Sequence, residues 1–254
     1  MSESTADETM YGNWVSTRLI WVPGVLGVLC LLLTFRFPWV SVLAVAFIVC
    51  AAYFAYARHT FSPQGGNVQT KIQALLLEQF ACDGIASVID VGCGSGAIAI
   101  GVAKRCPGAK VTAVDTWGQA WEYSRQLCER NAALEQVADR VSFQQAGASS
   151  LPFADASFDA AVSNLTFHEV ADVKDKALLV REALRVVRKG GRFVFQDLFL
   201  WKAAYGDLDA LLDAMRGWGI EQVEFINTSE APFIPRLLKL PFMVGTIGIL
   251  RGIK

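Results

Sequence analysis

Two charge-free stretches occupy most of positions 19–57: 17 residues from Leu19 to Phe35 and 21 from Phe37 to Ala57, with Arg36 between them. At about 1.5 Å per helical residue these arms reach roughly 26 and 32 Å, which brackets the hydrocarbon thickness of a bilayer. The pattern predicts a membrane-anchoring helical hairpin over residues 1–59, with arms at about 19–35 and 37–57. Pro23, Gly24 and Gly27 fall in the shorter arm, so both a two-pass and a one-leaflet (monotopic) hairpin fit it. Trp14, Trp21, Trp39 and Tyr56 lie near the arm ends, where amphipathic rings settle at the headgroup level. Glu3, Asp7 and Glu8, together with a second apolar arm, read against a cleaved signal peptide.

Phe61-Ser62-Pro63-Gln64-Gly65-Gly66 is a turn-rich break, and the second domain is set at 60–254. Apolar residues then recur at helical spacing over 67–80. Short runs rich in Val, Ile, Phe or Ala at 87–91, 110–115, 141–145, 159–163 and 192–196 predict strands. Helices are predicted between them at about 97–106, 118–137 and 173–188, followed by one at 206–218 and strands at 222–226 and 242–250. This alternation predicts an α/β domain: a seven-stranded, mostly parallel open sheet with helices on both faces.

Composition removes several function classes. With 23 Lys+Arg against 24 Asp+Glu, the chain lacks the basic excess that phosphate binding requires, so no nucleic-acid partner is expected. Its 53% hydrophobic content excludes a disordered chain. Six cysteines without a C-x-x-C pair, and only His59 and His168, support no metal site, and the cysteines read as reduced thiols. Nothing in the sequence sets an oligomeric state.

The densest chemistry lies in Val88-Ile89-Asp90-Val91-Gly92-Cys93-Gly94-Ser95-Gly96-Ala97, a strand running through a glycine loop into a helix. Such a turn lets a ligand approach the backbone and presents free helix N–H groups to it. Gly92, Gly94 and Ala97 also satisfy the dinucleotide pattern G-x-G-x-x-G/A, with Asp115 downstream. A carboxylate at Asp90, just before the loop, suits a cationic ligand better than a diphosphate.

With four further segments, V-T-A-V-D at 111–115, L-P-F-A-D-A-S-F-D at 151–159, S-N-L-T-F-H-E-V at 163–170 and E-A-L-R-V-V-R-K-G-G-R-F-V-F at 182–195, residues 68–198 resemble class I S-adenosylmethionine-dependent methyltransferases of Rossmann-like fold, and are most similar to the quinone and sterol branch. The resemblance implies S-adenosyl-L-methionine as cofactor. It places Asp90, Gly92 and Gly94 at the methionine end and Asp115 at the ribose hydroxyls. Cys93 and Thr116 are further cofactor-binding candidates, Cys93 reading as a small filler of the loop and not a nucleophile, and Trp117 reads either as packing on adenine or as a core aromatic. Gly147, Ala148 and Ser149 follow the third strand; Gly147 stands where the family often has an acidic residue, which leaves adenine to backbone groups or Ser149. Asn164 resembles the family position next to the transferred methyl group.

Methyl transfer asks mainly for alignment in a dry pocket. His168, Asp197 and Asn164 are the candidate catalytic residues, with Glu169 beside them; His168 reads either as a base or as a structural hydrogen-bonding residue. The hairpin and the segment Ala231–Pro241, whose apolar residues alternate with Arg236 and Lys239, suggest an acceptor that partitions into the bilayer, such as a quinone or lipid. A small thiol or sulfide is the alternative acceptor, and a noncatalytic cofactor sensor the alternative role. The expected location is the membrane, with the catalytic domain facing the cytoplasm.

Overall fold

The computed structural model describes residues 8–118 and 123–254. These divide into two compact units, Gly12–Ile72 and a second that joins residues 8–11 to 73–254.

In the first unit, α1 (Arg18–Leu33) and α2 (Ser41–Phe61) form a hairpin through a short 3-10 turn at Pro38–Val40. The helices approach closely where α1 is small: a Cβ added at Gly27 would lie 2.9 Å from the Ile48 side chain, and one at Gly24 3.9 Å from Ala51. Outward-facing side chains are apolar; Trp21, Val42 and Trp39 are 71%, 71% and 69% exposed. The helical run from Pro38 to Phe61 spans 24 residues and contains an 18-residue window of mean hydropathy 2.3, long and apolar enough to cross a membrane; α1 is shorter, at 16 residues.

The second unit opens with α3 (Val68–Gln79), whose first residues belong to the other unit. Its seven strands are β1 (Ser87–Val91), β2 (Lys110–Asp115), β3 (Val141–Gln145), β4 (Phe158–Asn164), β5 (Val187–Asp197), β6 (Gln222–Asn227) and β7 (Gly248–Ile253). They stand in the order β3-β2-β1-β4-β5-β7-β6, with only β7 antiparallel to its neighbours. Val88, Val111, Val162 and Val194 join one buried cluster with α3, α4 (Ala97–Arg105) and α5 (Arg125–Leu134). Ile89, Val91, Phe193 and Phe195 face α6 (Ala177–Arg185) and α8 (Leu208–Gly217) on the other side. A one-turn α7 (Lys202–Tyr205) lies between β5 and α8. Side chains alternate along a strand, so parity assigns each residue at a strand end to one face.

Three expectations are corrected. The helix set at 173–188 ends at Arg185, because Val187 pairs with Phe158 and the Lys254 ammonium takes the carbonyls of Leu184, Arg185 and Val187 that a longer helix would use. The last strand starts at Gly248, not 242: the apolar run is broken where Gly245 packs on the Lys239 carbonyl, with no room for a Cβ. Cys82 and Cys106, read as thiols, form a disulfide; 24 positions apart, they meet because α4 brings its end back to the loop before β1. Of the helix set at 118–137, Arg125–Leu134 is helical, with Ser124 capping the Leu127 N–H. Positions 119–122, like Glu3 and Asp7, lie outside the described residues.

Candidate functional site

The carboxyl ends of β1, β2 and β4 converge on the glycine loop. Gly92, Gly94 and Gly96 have φ of +76°, +54° and +85°, a left-handed run that only glycine adopts freely. The loop is fastened from below by the Val114 carbonyl, which accepts the Gly92 and Cys93 N–H groups at 2.8 and 3.0 Å. Thr166, from the loop after β4, donates to the Gly92 carbonyl at 3.1 Å. A Cβ at Gly92 would lie 2.1 Å from the Thr166 side chain. Gly92→Ala should therefore lower stability by more than about 2 kcal/mol and weaken cofactor binding. Pairing it with Thr166→Gly should restore the steric part and leave the φ strain. Chemical denaturation of the two variants separates these contributions; equal stability of Gly92→Ala and wild type would refute the packing described.

Asp90 is 1% exposed, and neither carboxylate oxygen has a hydrogen-bond partner. Burial raises this carboxyl to about 8; the Ala99 N–H pulls against it without meeting hydrogen-bond geometry, and the Asp115 carboxylate adds to the rise. A buried carboxyl without partners is costly, and a cation is what it lacks. Asp115, at the end of β2, accepts the Gly94 N–H at 2.8 Å on one oxygen and the Trp117 N–H at 2.7 Å on the other. Each oxygen retains a further lone pair for a hydroxyl. The Trp117 indole turns back over the loop and donates to the Gly94 carbonyl at 3.0 Å. The Cys93 thiol is pushed well up by burial, the largest cause, and also by Cys128, Asp90 and Asp115. It is a filler there, not a thiolate.

Thr116, Gly147 and Ser149 meet beyond β2 and β3: a Cβ at Gly147 would stand 3.7 Å from the Ser149 hydroxyl and 3.9 Å from the Thr116 methyl. Ala148 is buried beside them. Ser149 donates to Asp172 at 2.7 Å, so a carboxylate absent at Gly147 enters from the loop after β4. Sequence order gave no sign of that contact.

A second constellation uses the other face. His168 Nδ1 lies 2.6 Å from Asp197 Oδ1, and its Nε2 3.3 Å from Glu169 Oε1. Asp197, fully buried, also accepts the Phe167 and Leu198 N–H groups at 2.8 and 2.6 Å. Burial alone would lower the imidazole, but Asp197 first and Glu169 second raise it to about 10. At neutral pH the ring is an imidazolium facing a carboxylate on each side, with no lone pair to take a proton. Tyr205 points its buried phenol at Asp197 without hydrogen-bond geometry, and its pKa rises through burial and that carboxylate. Parity puts Asp197 with Phe195 and Asp90 with Val162 and Val194, on opposite faces. The structure thus joins His168 to Asp197 and separates both from Asp90.

Asn164, last in β4, shares the Asp90 face by parity; its amide oxygen is buried and unpartnered. Opposite it in register is Gln196, which the more prominent Asp197 beside it masks in the sequence. Hidden as well is the clasp of residues 8–11 on the loop. Asn131 accepts the Met10 N–H at 2.9 Å and donates to the Met10 carbonyl at 2.9 Å and the Ser95 carbonyl at 3.1 Å. Ser95 donates to the Tyr11 carbonyl.

An orphaned buried carboxylate, a left-handed glycine turn and a second carboxylate with lone pairs to spare fit a ligand with a cationic end and a ribose, as S-adenosylmethionine is. The methyltransferase domain family matches residues 89–195. The chain is 44% identical over 96 residues to the release factor glutamine methyltransferase of Chlorobaculum tepidum, covering 35% of this chain and 31% of that protein. It is 30% identical over 161 residues to the demethylmenaquinone methyltransferase of Porphyromonas gingivalis, covering 61% of this chain and 62% of the relative. The solved structure of geranyl diphosphate methyltransferase in complex with SAM superposes with a TM-score of 0.57 at 18% identity, over 78% of this chain and 89% of that one, a likeness of fold. The chain spans about one third to three fifths of the length of these two curated relatives.

Proposed function

We propose, from the match of residues 89–195 to the methyltransferase domain family, that the chain is a membrane-anchored, S-adenosylmethionine-dependent methyltransferase acting on a hydrophobic acceptor that partitions into the bilayer. The observation that carries the activity is Asp90, buried and without a partner beside the glycine loop. Bound there, S-adenosylmethionine would supply a sulfonium methyl group for an acceptor nucleophile to take up, with S-adenosylhomocysteine as the leaving group and any acceptor proton passing to solvent. The chain's own part is to hold the cationic end with Asp90, the ribose with Asp115 and the adenine near Thr116, Gly147, Ala148 and Ser149, and to keep water from the reacting line. The acceptors named for relatives run from a release-factor glutamine to demethylmenaquinone; that range singles out none for this chain.

The anchor reading rests on the apolar exterior of α1 and α2 and on connectivity. Residues 8–11 and 73–254 belong to one compact unit, so both ends of Gly12–Ile72 leave and return to it. This favours two crossings or a one-leaflet hairpin over a single crossing by α2. Near the C-terminus Leu237 and Phe242 are exposed while Ile234 and Leu238 are buried, as in a lip resting on a membrane surface. A cationic cofactor does not cross bilayers, so the domain would face the compartment that supplies it, the cytoplasm. Among the described residues the Cys82–Cys106 disulfide is the one feature that favours an oxidising compartment instead.

Membranes carrying the protein, given methyl-labelled S-adenosylmethionine with a host extract and a thiol panel in a sealed vial, test the whole reading. Label is expected in the lipid extract, with the chain retained in the membrane pellet after an alkaline wash. Label in the headspace would replace the acceptor with a small thiol or sulfide. Cofactor binding without transfer to any fraction would leave a noncatalytic sensor.

A further inference from the structure

Gln196 is fully buried, yet neither its amide oxygen nor its amide nitrogen has a partner. Interiors seldom tolerate such a group: its neighbours on the same face are Val194 on its own strand and Ile249 across on β7, and a leucine would satisfy that surrounding. Across the sheet it pairs with Asn164, whose amide oxygen is also buried and unpartnered. Asn164 stands two residues beyond Val162, the register partner of Asp90. Three polar side chains with unmet hydrogen-bonding atoms therefore run across β1, β4 and β5 on one face, toward the carboxyl edge of the sheet. Gln196 lies two strand spacings, about 10 Å, from β1.

We propose that Gln196, with Asn164, recognises the methyl acceptor, and that the acceptor presents a hydroxyl or carbonyl oxygen to them. This rests on the methyl-transfer reading above and narrows its substrate class. A primary amide offers one acceptor and two donors, the complement of a hydroxyl, which both gives and takes a hydrogen bond. Sulfur is a weak partner for either, so a small thiol leaves the amide unmet and the desolvation cost uncompensated. Asp197, the more conspicuous residue in sequence, points to the opposite face and is saturated by Phe167, His168 and Leu198.

The test uses the full chain in nanodiscs loaded with S-adenosylhomocysteine, with 2-naphthol, 2-naphthalenethiol and naphthalene as probes. In the wild type, 2-naphthol should raise the unfolding temperature at concentrations about tenfold lower than either of the others. Gln196→Leu should abolish that difference while binding S-adenosylmethionine within about threefold of wild type by calorimetry; Gln196→Met serves if the leucine variant does not fold. Equal responses to the three probes in the wild type, or discrimination surviving in the variants, would overturn the proposal. So would loss of cofactor affinity, which would assign Gln196 to the cofactor instead. Failure of the wild type to bind S-adenosylmethionine at all would sink the methyl-transfer reading itself, a distinct outcome.

Discussion

Asp90→Asn should weaken S-adenosylmethionine binding about 100-fold at pH 8 and erase a proton exchange that accompanies binding in the wild type. Buried and unpartnered, the Asp90 carboxyl holds its proton up to about pH 8 in the empty protein. A cationic cofactor stabilises the ionised form, so binding at pH 7 should release close to one proton, and at pH 9 almost none. Affinity should accordingly rise about tenfold per pH unit between pH 6 and 8 and then level off. The same group shapes the stability of the unliganded domain. Its folded value is raised above the ordinary 3.8, so its contribution is intact below about pH 4. It is then lost at about 1.4 kcal/mol per pH unit as the unfolded chain ionises first, up to about pH 8. Asp90→Asn removes this slope and should leave the empty domain more stable than wild type at pH 8 while it binds cofactor worse. Calorimetry in two buffers of different ionisation heat reads the proton release. Buffer-independent heats at pH 7 would refute the assignment.

Much of the sheet and turn that carry this site is legible in the sequence. Strand bounds at 87–91, 110–115 and 141–145 agree with the fold because each run is short, apolar and ended by a turn, and propensity, burial and punctuation point the same way. The glycine loop was legible for a related reason: three glycines after a strand have few uses. What failed to show depended on contacts distant in sequence. Asp172 reaching Ser149, Asn131 clasping Met10 and Cys82 meeting Cys106 carry no local signature. The helix end at Arg185 is set by a lysine 69 positions away. At the end of β5 chemical prominence drew attention to Asp197, whereas the pleat assigns Gln196 to the cofactor face; period-two parity, counted from Val194, would have shown it.

Asp197→Ala should unfold the domain more readily by about 3–5 kcal/mol at pH 6. It removes the acceptor for the Phe167 and Leu198 N–H groups and strands the buried His168 imidazolium beside Glu169 alone. The pH dependence has a definite sign. His168 is raised from 6.5 to about 10, so the pair's contribution is fully present below about pH 6.5 and lost as pH rises toward 10. The gap between wild type and variant should therefore narrow across that window, as denaturant titrations at pH 6 and 9.5 would record. A gap independent of pH would mean that His168 is neutral in the fold and that the loss belongs to the N–H contacts. Cofactor affinity should change less than about threefold, because Asp197 and Asp90 occupy opposite faces. The milder His168→Gln settles the remaining choice. If it lowers stability and methyl transfer in proportion, His168 positions the loop after β4. If it abolishes transfer while fold and cofactor affinity are kept, the imidazole acts at the reacting atoms, and the ion pair seen here must open when the acceptor binds.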